Sequence, residues 1–239
     1  MTEKAVPKVR LLTYTPEPEK TVAAAARLCY SEQSAGELLR EFSDEQAERF
    51  LGKLVSIGHY SPFEHASFTF AVDGVSRALS HQLVRHRAGV SFSQKSQRYV
   101  KESQFEYIKP GSLAKNPALS EEFDGLMALL QEKYRDWLSA GVPAEDARYI
   151  LPNAAATNLV VTMNARSLLH FFSLRCCVRA QWEIRALACA MRRLVKEVAP
   201  LLFAKAGPSC VSRGICFEGA MSCGAAPLLG APEEGGSHE

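Results

Sequence analysis

The sequence predicts an α+β domain, and three observations carry that prediction. Segments with helical periodicity outnumber strand-like segments, the two kinds do not alternate strictly, and neither a P-loop nor a dinucleotide-binding glycine motif occurs. A doubly wound α/β protein would alternate its strands and helices regularly and often carry one of those motifs. The 239 residues, 47% of them hydrophobic and 23% charged, suffice for a single domain with a sizeable core.

The periodicity of apolar residues and the positions of turn-forming residues predict the order of elements. We predict helices over 18–29 and 44–57, a strand over 65–72, a turn at Asp73-Gly74, a helix over 77–87, a loop over 88–95, short strands at 99–100 and 105–108, helices over 120–139 and 144–151, a strand over 157–163, and helices over 165–174 and 180–197.

Local signals place several of these boundaries. Ser43 and Ser76 are plausible N-caps, and Gly58 is suited to end the helix before it. Phe68, Phe70 and Val72 alternate, as they do in a strand with one buried face. The long helix over 120–139 is expected to bury Phe123, Leu126, Leu129, Leu130, Tyr134 and Leu138.

The composition of the chain indicates the cellular compartment and argues against a membrane partner. No apolar run approaches the roughly 18–20 residues that span a bilayer, so no membrane association is expected. The first residues lack the apolar core of a secretory signal. Seven cysteines, an odd number, are typical of reduced thiols in a cytoplasmic protein and not of a disulfide framework.

Positive charge is concentrated in two segments of a chain whose formal net charge is only +2. No acidic residue occurs between Asp73 and Glu102 or between Asp146 and Glu183, whereas both segments contain several arginines. A surface for long nucleic acid is usually basic over a whole face, with a pI above about 9. At a pI of about 8.1 the pattern favours a small phosphorylated ligand and predicts no nucleic-acid partner.

The first basic segment contains Gln82-Leu-Val-Arg85-His86-Arg87 and then Ser96-Gln97-Arg98-Tyr99. On the predicted helix Gln82 and Arg85 share a face, and the serine-rich loop after it could wrap a phosphate. Arg98 offers a guanidinium fork suited to bidentate phosphate contact. A solvated basic helix end explains the same residues about equally well, since cations there favour the helix dipole.

The second basic segment joins the predicted strand over 157–163 to a helix. Asn164 stands where it could cap that helix, while Arg166 and His170, four residues apart, share a helical face and could border one ligand. Arg175 follows the apolar run FFSL, so it is expected to be partly buried and to need an anionic or carbonyl partner.

A set of motifs makes these segments more specific. The signature RHR-x8-S at Arg85–Ser96 resembles that of the flavin-dependent thymidylate synthases. The resemblance extends, in order and at similar spacing over about residues 10–200, to SPFEH (61–65), FTF (68–70), LP (151–152), NARS (164–167), LR (174–175) and AQWEI (180–184).

The resemblance implies an α+β fold with an antiparallel sheet flanked by long helices, and a methyltransferase that converts dUMP to dTMP. It implies methylenetetrahydrofolate as carbon donor, NADPH as reductant, FAD as hydride carrier, and a cytoplasmic homotetramer whose sites are shared between subunits. The catalytic domain would occupy residues 1–205, followed by a partly flexible tail rich in Cys, Gly and Pro over 206–239.

Matched positions give the implied site residues. FAD would be held by His59, Ser61, Arg85, His86, Arg87, Asn164, Ala165, Arg166 and His170. The nucleotide would be held by Gln82, Leu83, Val84, Arg85, Gln94, Lys95, Ser96, Gln97, Arg98, Arg148 and Arg175. Arg175 is the implied catalytic residue, because a fixed guanidinium would stabilise negative charge on the pyrimidine. Gln94, His170 and Arg179 depart from residues found in some members of the family.

Two other functions fit parts of the sequence. A non-catalytic nucleotide- or RNA-binding protein could use the same basic segments. A flavin-free thymidylate synthase would need a cysteine nucleophile, and no cysteine stands in a Pro-Cys-His-like context. Cys210, Cys216 and Cys223 contain no CxxC pair, so no metal site is expected and all seven cysteines are predicted to be packing or surface thiols.

Overall fold

A computed structural model describes residues 7–229, and within them four strands form one antiparallel sheet. The strands are β1 (Lys8–Tyr14), β2 (Ser67–Ser76), β3 (Val90–Gln94) and β4 (Ala156–Asn164). Their order is β1-β2-β4-β3, so β2 and β4 are central and β3 is an edge strand. Phe68, Phe70 and Val72 of β2 are fully buried, as their alternation predicts.

Helices provide most of the remaining regular structure of the described residues. They are α1 (Pro18–Leu28), α2 (Ala35–Glu41), α3 (Asp44–Ser56), α4 (Arg77–Leu83), α5 (Gly111–Ala114), α6 (Pro117–Ser139), α7 (Ala144–Ala147), α8 (Ala165–Arg175), α9 (Trp182–Val198) and α10 (Ser209–Ser212). Short 3₁₀ turns lie at Ser61–His65, Arg148–Ile150 and Gly219–Met221. The predicted α+β class is confirmed.

The described chain divides into two compact units. The first unit contains the residues up to Thr13 together with Thr69–Thr162. One of its clusters is formed by Phe105, Met127 and Ala155, against which residues of α6 pack.

The second unit contains Tyr14–Phe68 and the described residues from Met163 onward. Its core is aromatic, because the ring of Phe203 lies 5.3 Å from that of Phe68 and 6.1 Å from that of Phe172, in edge-to-face contacts. In this unit α1 packs against α2 and α3, and α8 packs against α9.

Several predicted boundaries are confirmed. Ser43 caps α3 by accepting a hydrogen bond from the Gln46 amide, and Ser76 caps α4 by accepting one from the Leu79 amide. Helices also occupy most of the predicted spans over 18–29, 120–139, 165–174 and 180–197. The expected division between a catalytic domain and a tail at residue 205 stays a prediction, and residues 230–239 of that tail lie outside the described residues.

The predicted turn at Asp73-Gly74 is wrong, because β2 continues through both residues to Ser76. Gly74 adopts a φ of 66°, which lets the strand deform without reversing. Its amide donates a hydrogen bond to the Asn158 side-chain oxygen at 3.1 Å, and that bond anchors the distortion to β4.

The segment after Ser76 also differs from the prediction. Helix α4 ends at Leu83, so Arg85, His86 and Arg87 follow the helix and do not share its face with Gln82. The predicted loop over 88–95 contains strand β3, whose two serines lie on the exposed side of an edge strand and hide its alternation. The predicted strand at Tyr99-Val100 is absent from this described segment.

Two smaller expectations are wrong as well. Leu126 and Leu129 of α6 are about half exposed, while Met127, which was not predicted to be buried, is only 5% exposed. Over 105–108, Tyr107 forms an isolated bridge with Ala155 and no strand is present. Helix α2 was missed, because Leu38 is the one residue in it that is buried.

Candidate active site

The arginines after α4 are exposed and available to a ligand. Val84 closes α4, and the chain turns at once, with the His86 amide donating to the Leu83 carbonyl at 3.1 Å. Within residues 7–229, no ion pair or hydrogen bond involves the guanidinium of Arg85 or of Arg87. Leu83 is fully buried, so its side chain cannot reach a ligand, whereas Val84 is exposed.

The residues after β3 are held by neighbours in the first unit. The Gln94 side-chain amide donates to the Thr157 hydroxyl at 3.3 Å. Lys95 forms an ion pair at 2.9 Å with Glu102, a carboxylate that is almost fully buried. The Ser96 hydroxyl accepts a hydrogen bond from the Arg98 amide, which forms a tight turn that also contains Gln97.

Arg98 and Arg148, far apart in sequence, contact the same residue. Arg98 Nε lies 2.6 Å from a carboxylate oxygen of Glu145. Arg148 Nε donates to the Glu145 main-chain carbonyl at 3.0 Å. The guanidinium of Arg98 also lies over the ring of Tyr99, with 5.4 Å between its carbon and the ring centroid. The structure therefore brings together two arginines that were predicted to bind the nucleotide.

Arg77, which was not among the predicted site residues, belongs to the same cluster. Its Nη2 donates to the Lys95 carbonyl at 3.3 Å, and its Nε is buried without a hydrogen-bond partner among the described residues. Burial lowers the pKa of Arg77, the Glu102 carboxylate raises it, and Arg148 lowers it further. A buried donor without a partner costs about 1–3 kcal/mol, so an acceptor from a ligand would be favoured here.

The signal for Arg77 in the sequence was its position directly after the N-cap Ser76, inside the acid-free segment. That signal identifies a basic residue near a helix N-terminus but does not show that its Nε is buried. With Arg77 included, Lys95, Arg98 and Arg148 form a cationic cluster in the first unit, the composition that phosphate recognition requires.

In the second unit, the residues before the SPFEH motif are fixed by the end of α3. Gly58 adopts a φ of 71°, and the His59 amide then donates to the Leu54 carbonyl at 2.9 Å. His59 is half-buried, and Ser61 is exposed at the start of the 3₁₀ turn. Within that turn, Glu64 accepts a hydrogen bond from Arg166 at 2.5 Å.

The NARS motif lies at the junction of β4 and α8. The Asn164 side-chain oxygen accepts a hydrogen bond from the Ser167 amide at 2.8 Å, so Asn164 is the N-cap of α8. Ala165 is fully buried, and its amide donates to the Ala66 carbonyl, so neither its side chain nor its amide is available to a ligand. Arg175, the last residue of α8, is half-buried as expected.

A cavity of about 440 Å³ in the second unit is lined by Arg166 and His170. The prediction that these two side chains share a helical face is thereby confirmed, while Arg175 is not among the lining residues. Small-molecule sites commonly measure about 300–1,000 Å³. The volume and the cationic lining suit part of a phosphorylated, ring-containing ligand.

Residues that sequence reasoning missed also line this cavity, and they are Tyr60, Lys205, Arg213 and Phe217. The guanidinium carbon of Arg213 lies 5.5 Å from the centroid of the Phe217 ring. No motif marks them, and two of the four, Arg213 and Phe217, lie in the segment that was expected to be a tail.

The chain is similar to known proteins over most of its length, including the segments that contain the residues described above. A model of the family described as "Thymidylate synthase complementing protein" matches residues 10–201. The flavin-dependent thymidylate synthase of Geobacter sulfurreducens is 54% identical over 221 residues, which cover 92% of this chain and 94% of that protein. The protein of the same name from Clostridium tetani is 51% identical, with coverage of 92% and 94%.

More distant relatives extend the similarity to archaea. The flavin-dependent thymidylate synthase of Pyrococcus horikoshii is 42% identical over 219 residues, which cover 88% of this chain and 90% of that protein. None of the helices between residues 7 and 229 has the length and apolar composition needed to cross a membrane.

Proposed function

Because the chain belongs to the thymidylate synthase complementing protein family, we propose that it is a flavin-dependent thymidylate synthase that methylates dUMP reductively to dTMP. The observation that carries the proposal in the structure is the cationic cluster of Arg77, Lys95, Arg98 and Arg148. Its guanidinium groups suit the phosphate of a mononucleotide. The carbon donor would be methylenetetrahydrofolate and the reductant NADPH.

Support for FAD binding comes from each unit separately. Arg85 and Arg87 present exposed guanidinium groups, and Arg166 and His170 line a cavity of suitable size. Together with His59, Ser61, His86 and Asn164, these residues would hold the cofactor's phosphates and rings. Bound there, FAD would supply hydride chemistry, with NADPH as the source of the electrons.

The other assigned residues bind and polarise the nucleotide. Ser96 and Arg98 would contact the phosphate of the nucleotide. The side-chain amide of Gln94 would form a neutral hydrogen bond with the nucleotide. Arg175 would lie against the pyrimidine and stabilise the negative charge that makes C5 nucleophilic. No described cysteine is assigned as a nucleophile, in keeping with a mechanism in which the hydride comes from a flavin.

The experiment that tests the function uses the purified full chain. Its visible spectrum should show bound flavin, and it should release tritium from C5-labelled dUMP only with NADPH and methylenetetrahydrofolate. A colourless protein that binds oligonucleotide better than dUMP, with steep salt dependence, would instead support a nucleic-acid-binding protein.

A variant of the phosphate site sharpens that test. Arg98→Ala should weaken dUMP binding without reducing flavin content, because Arg98 is assigned to the nucleotide alone. Arg135→Ala removes an exposed arginine of α6 outside the cluster and is the matched control. Equal dUMP affinity of wild type and Arg98→Ala in equilibrium binding would remove Arg98 from the phosphate site.

We also propose that the enzyme is a cytoplasmic homotetramer whose active sites take residues from more than one subunit. Support comes from the family resemblance of the site motifs. Light scattering of the purified protein should give four times the 26.3 kDa chain mass. Mixing inactive variants altered at different site positions should restore activity if sites are shared.

A further inference from the structure

Glu102 is an acidic residue inside a cluster that is proposed to bind an anion. Its side chain is only 9% exposed, and it belongs to the same unit as the cations of the cluster. It is also the residue at which the first acid-free segment ends. A buried carboxylate beside a phosphate site opposes the binding of the phosphate, and nothing in the proposed reaction uses it.

Both oxygens of the Glu102 carboxylate contact Lys95. The Lys95 ammonium lies 2.9 Å from Oε1 and 3.0 Å from Oε2, so the two oxygens share one cation. The Lys95 side chain is about one-third exposed, which places the pair at the boundary between the core and the solvent. A buried charge is tolerated when an opposite charge and hydrogen bonds compensate it, and Lys95 provides both.

The backbone of each partner is anchored to regular structure. The Glu102 amide donates to the hydroxyl of Tyr134, a fully buried residue of α6, at 3.2 Å. The Lys95 amide donates to the Asn158 carbonyl of β4 at 3.0 Å. Because the Glu102 side chain is buried and its backbone is held, the carboxylate has little freedom to turn away when an anion binds.

The pair also supports Arg77. The Lys95 carbonyl accepts a hydrogen bond from Arg77 Nη2 at 3.3 Å. Burial lowers the pKa of Arg77, and the Glu102 carboxylate raises it. Glu145, the other carboxylate of the cluster, pairs with Arg98 but is about half exposed. A ligand can therefore move Glu145 aside, whereas the charge of Glu102 stays in place.

A fixed negative charge penalises an anionic ligand more as the charge of the ligand increases. A phosphate monoester carries a charge of about −1.5 to −2 near pH 7, and each further phosphate group adds to it. The four cations alone would bind a more highly charged nucleotide more tightly, and Glu102 offsets that gain. We infer that Glu102 is a specificity-determining residue, which positions Lys95 and makes the cluster favour one phosphate group over two. The inference rests on the proposed function, in which dUMP is the nucleotide.

The first test replaces the carboxylate by an amide of the same shape. In equilibrium binding, Glu102→Gln should raise the affinity for dUMP about threefold and that for dUDP about tenfold, because one negative charge is removed from both complexes. The ratio of the two affinities should therefore shift toward dUDP. Glu106→Gln removes an exposed carboxylate from the same segment, and this matched control should leave both affinities unchanged.

A merely structural role of Glu102 makes the opposite prediction. If Glu102 only held the fold together, Glu102→Gln would lower the stability and weaken the binding of both nucleotides. We expect lower stability in urea together with tighter binding, because Lys95 and Arg77 lose a compensating charge. Weaker binding of both nucleotides by Glu102→Gln, or an unchanged ratio of their affinities, would overturn the inference.

A double variant tests whether Glu102 acts together with Lys95. Lys95→Met combined with Glu102→Gln removes one charge of each sign from the cluster. The ratio of the dUDP and dUMP affinities should then return to the wild-type value. A ratio that stays at the value of Glu102→Gln alone would show that Lys95 has no part in the selection and would overturn the inference in this form.

Inorganic phosphate and pyrophosphate separate this inference from the proposed function. If the wild type binds no dUMP, the proposed function fails, and the same variants are then compared by how far each anion raises the temperature of unfolding. A pyrophosphate effect that increases more than the phosphate effect in Glu102→Gln would support the role of Glu102. Equal effects of the two anions in wild type and in every variant would overturn it.

Discussion

Arg175 combines half-burial with a position at the last residue of α8, where its charge favours the helix dipole. We expect Arg175→Ala to abolish tritium release from dUMP while leaving flavin bound, because the charge on the pyrimidine would lose its stabilising guanidinium. Flavin absorbance and tritium release, measured on one preparation, check this. Activity within tenfold of wild type, about 1.4 kcal/mol, would show that the role is wrong.

The buried Nε of Arg77 lowers the stability of the unliganded fold, and a ligand that accepts a hydrogen bond from it would remove this penalty. Its Nε is buried without a partner among the described residues, and relief of that cost offsets the loss of the long hydrogen bond from Nη2 to the Lys95 carbonyl, so replacing Arg77 by an apolar side chain of similar length should not weaken the unliganded fold. We expect Arg77→Met to unfold in urea at the same or higher concentration than wild type and to bind dUMP at least about tenfold more weakly. Lower stability combined with unchanged dUMP affinity would assign Arg77 a purely structural role.

Among the candidate site residues, the sequence predicted relative positions correctly where the residues belong to a single helix. The spacing of Arg166 and His170 and the position of Asn164 depend only on the geometry of α8. Arg77 and Arg213 were missed, because their surroundings come from residues distant in sequence. The burial of a charged side chain is a tertiary property that local periodicity does not encode.

At the scale of elements, replacing glycine by alanine should change the free energy of unfolding in opposite directions at two positions. Gly74 in β2 has a φ of 66°, and Gly52 lies inside α3, with open space around both Cβ positions. Gly74→Ala should lower the free energy of unfolding by about 1–2 kcal/mol through backbone strain. Gly52→Ala should raise it by about 0.5–1 kcal/mol, since alanine favours a helix interior. Urea unfolding of both variants would measure the contrast, and a change of the same sign would contradict it.

The hydrogen bond between Tyr107 and Asp124 of α6 makes the free energy of unfolding depend on pH. The Tyr107 hydroxyl donates to Asp124 at 2.7 Å, and this hydrogen bond, with burial, raises the pKa of Tyr107 to about 12. An unfolded tyrosine ionises near pH 10, so the stabilisation is complete below about pH 10 and is lost as pH rises toward 12.

Paired unfolding measurements test this dependence. The difference in stability between wild type and Tyr107→Phe should narrow from about pH 9 to about pH 11. Tyr30→Phe, which changes an exposed tyrosine, should show no such narrowing. A constant difference for Tyr107→Phe over this range would refute the assignment.

Helices were easier to predict than strands for a physical reason. A helix such as α3 can be recognised from the sequence by its N-cap, Ser43, and by a stripe of apolar residues that includes Leu51 and Leu54. Edge strand β3 is half exposed on one side and fully exposed on the other, so its pattern resembles a polar loop. Helix α2 buries only Leu38, and its remaining signal was the capping box between Ser34 and Glu37.

For the molecule as a whole, the distribution of charge was informative from the sequence alone. The two acid-free segments supply the arginines of the cationic cluster, and the second segment also supplies Arg166 of the cavity, whereas Arg213 of that cavity lies outside both segments. Sequence motifs could not show that Glu145 and Glu102 stand beside those cations. Long-range ion pairs depend on how the chain folds back on itself, and no spacing rule predicts them.

The salt link between Arg98 and Glu145 has a consequence for turnover. Both groups are about half exposed, so the pair is worth little in stability, and a phosphate could displace the carboxylate at small cost. If Arg98 binds the phosphate as proposed, Glu145 would pair with its guanidinium again once the product leaves. A resident counter-ion of this kind would keep the nucleotide from binding so tightly that each cycle stalls before the next begins.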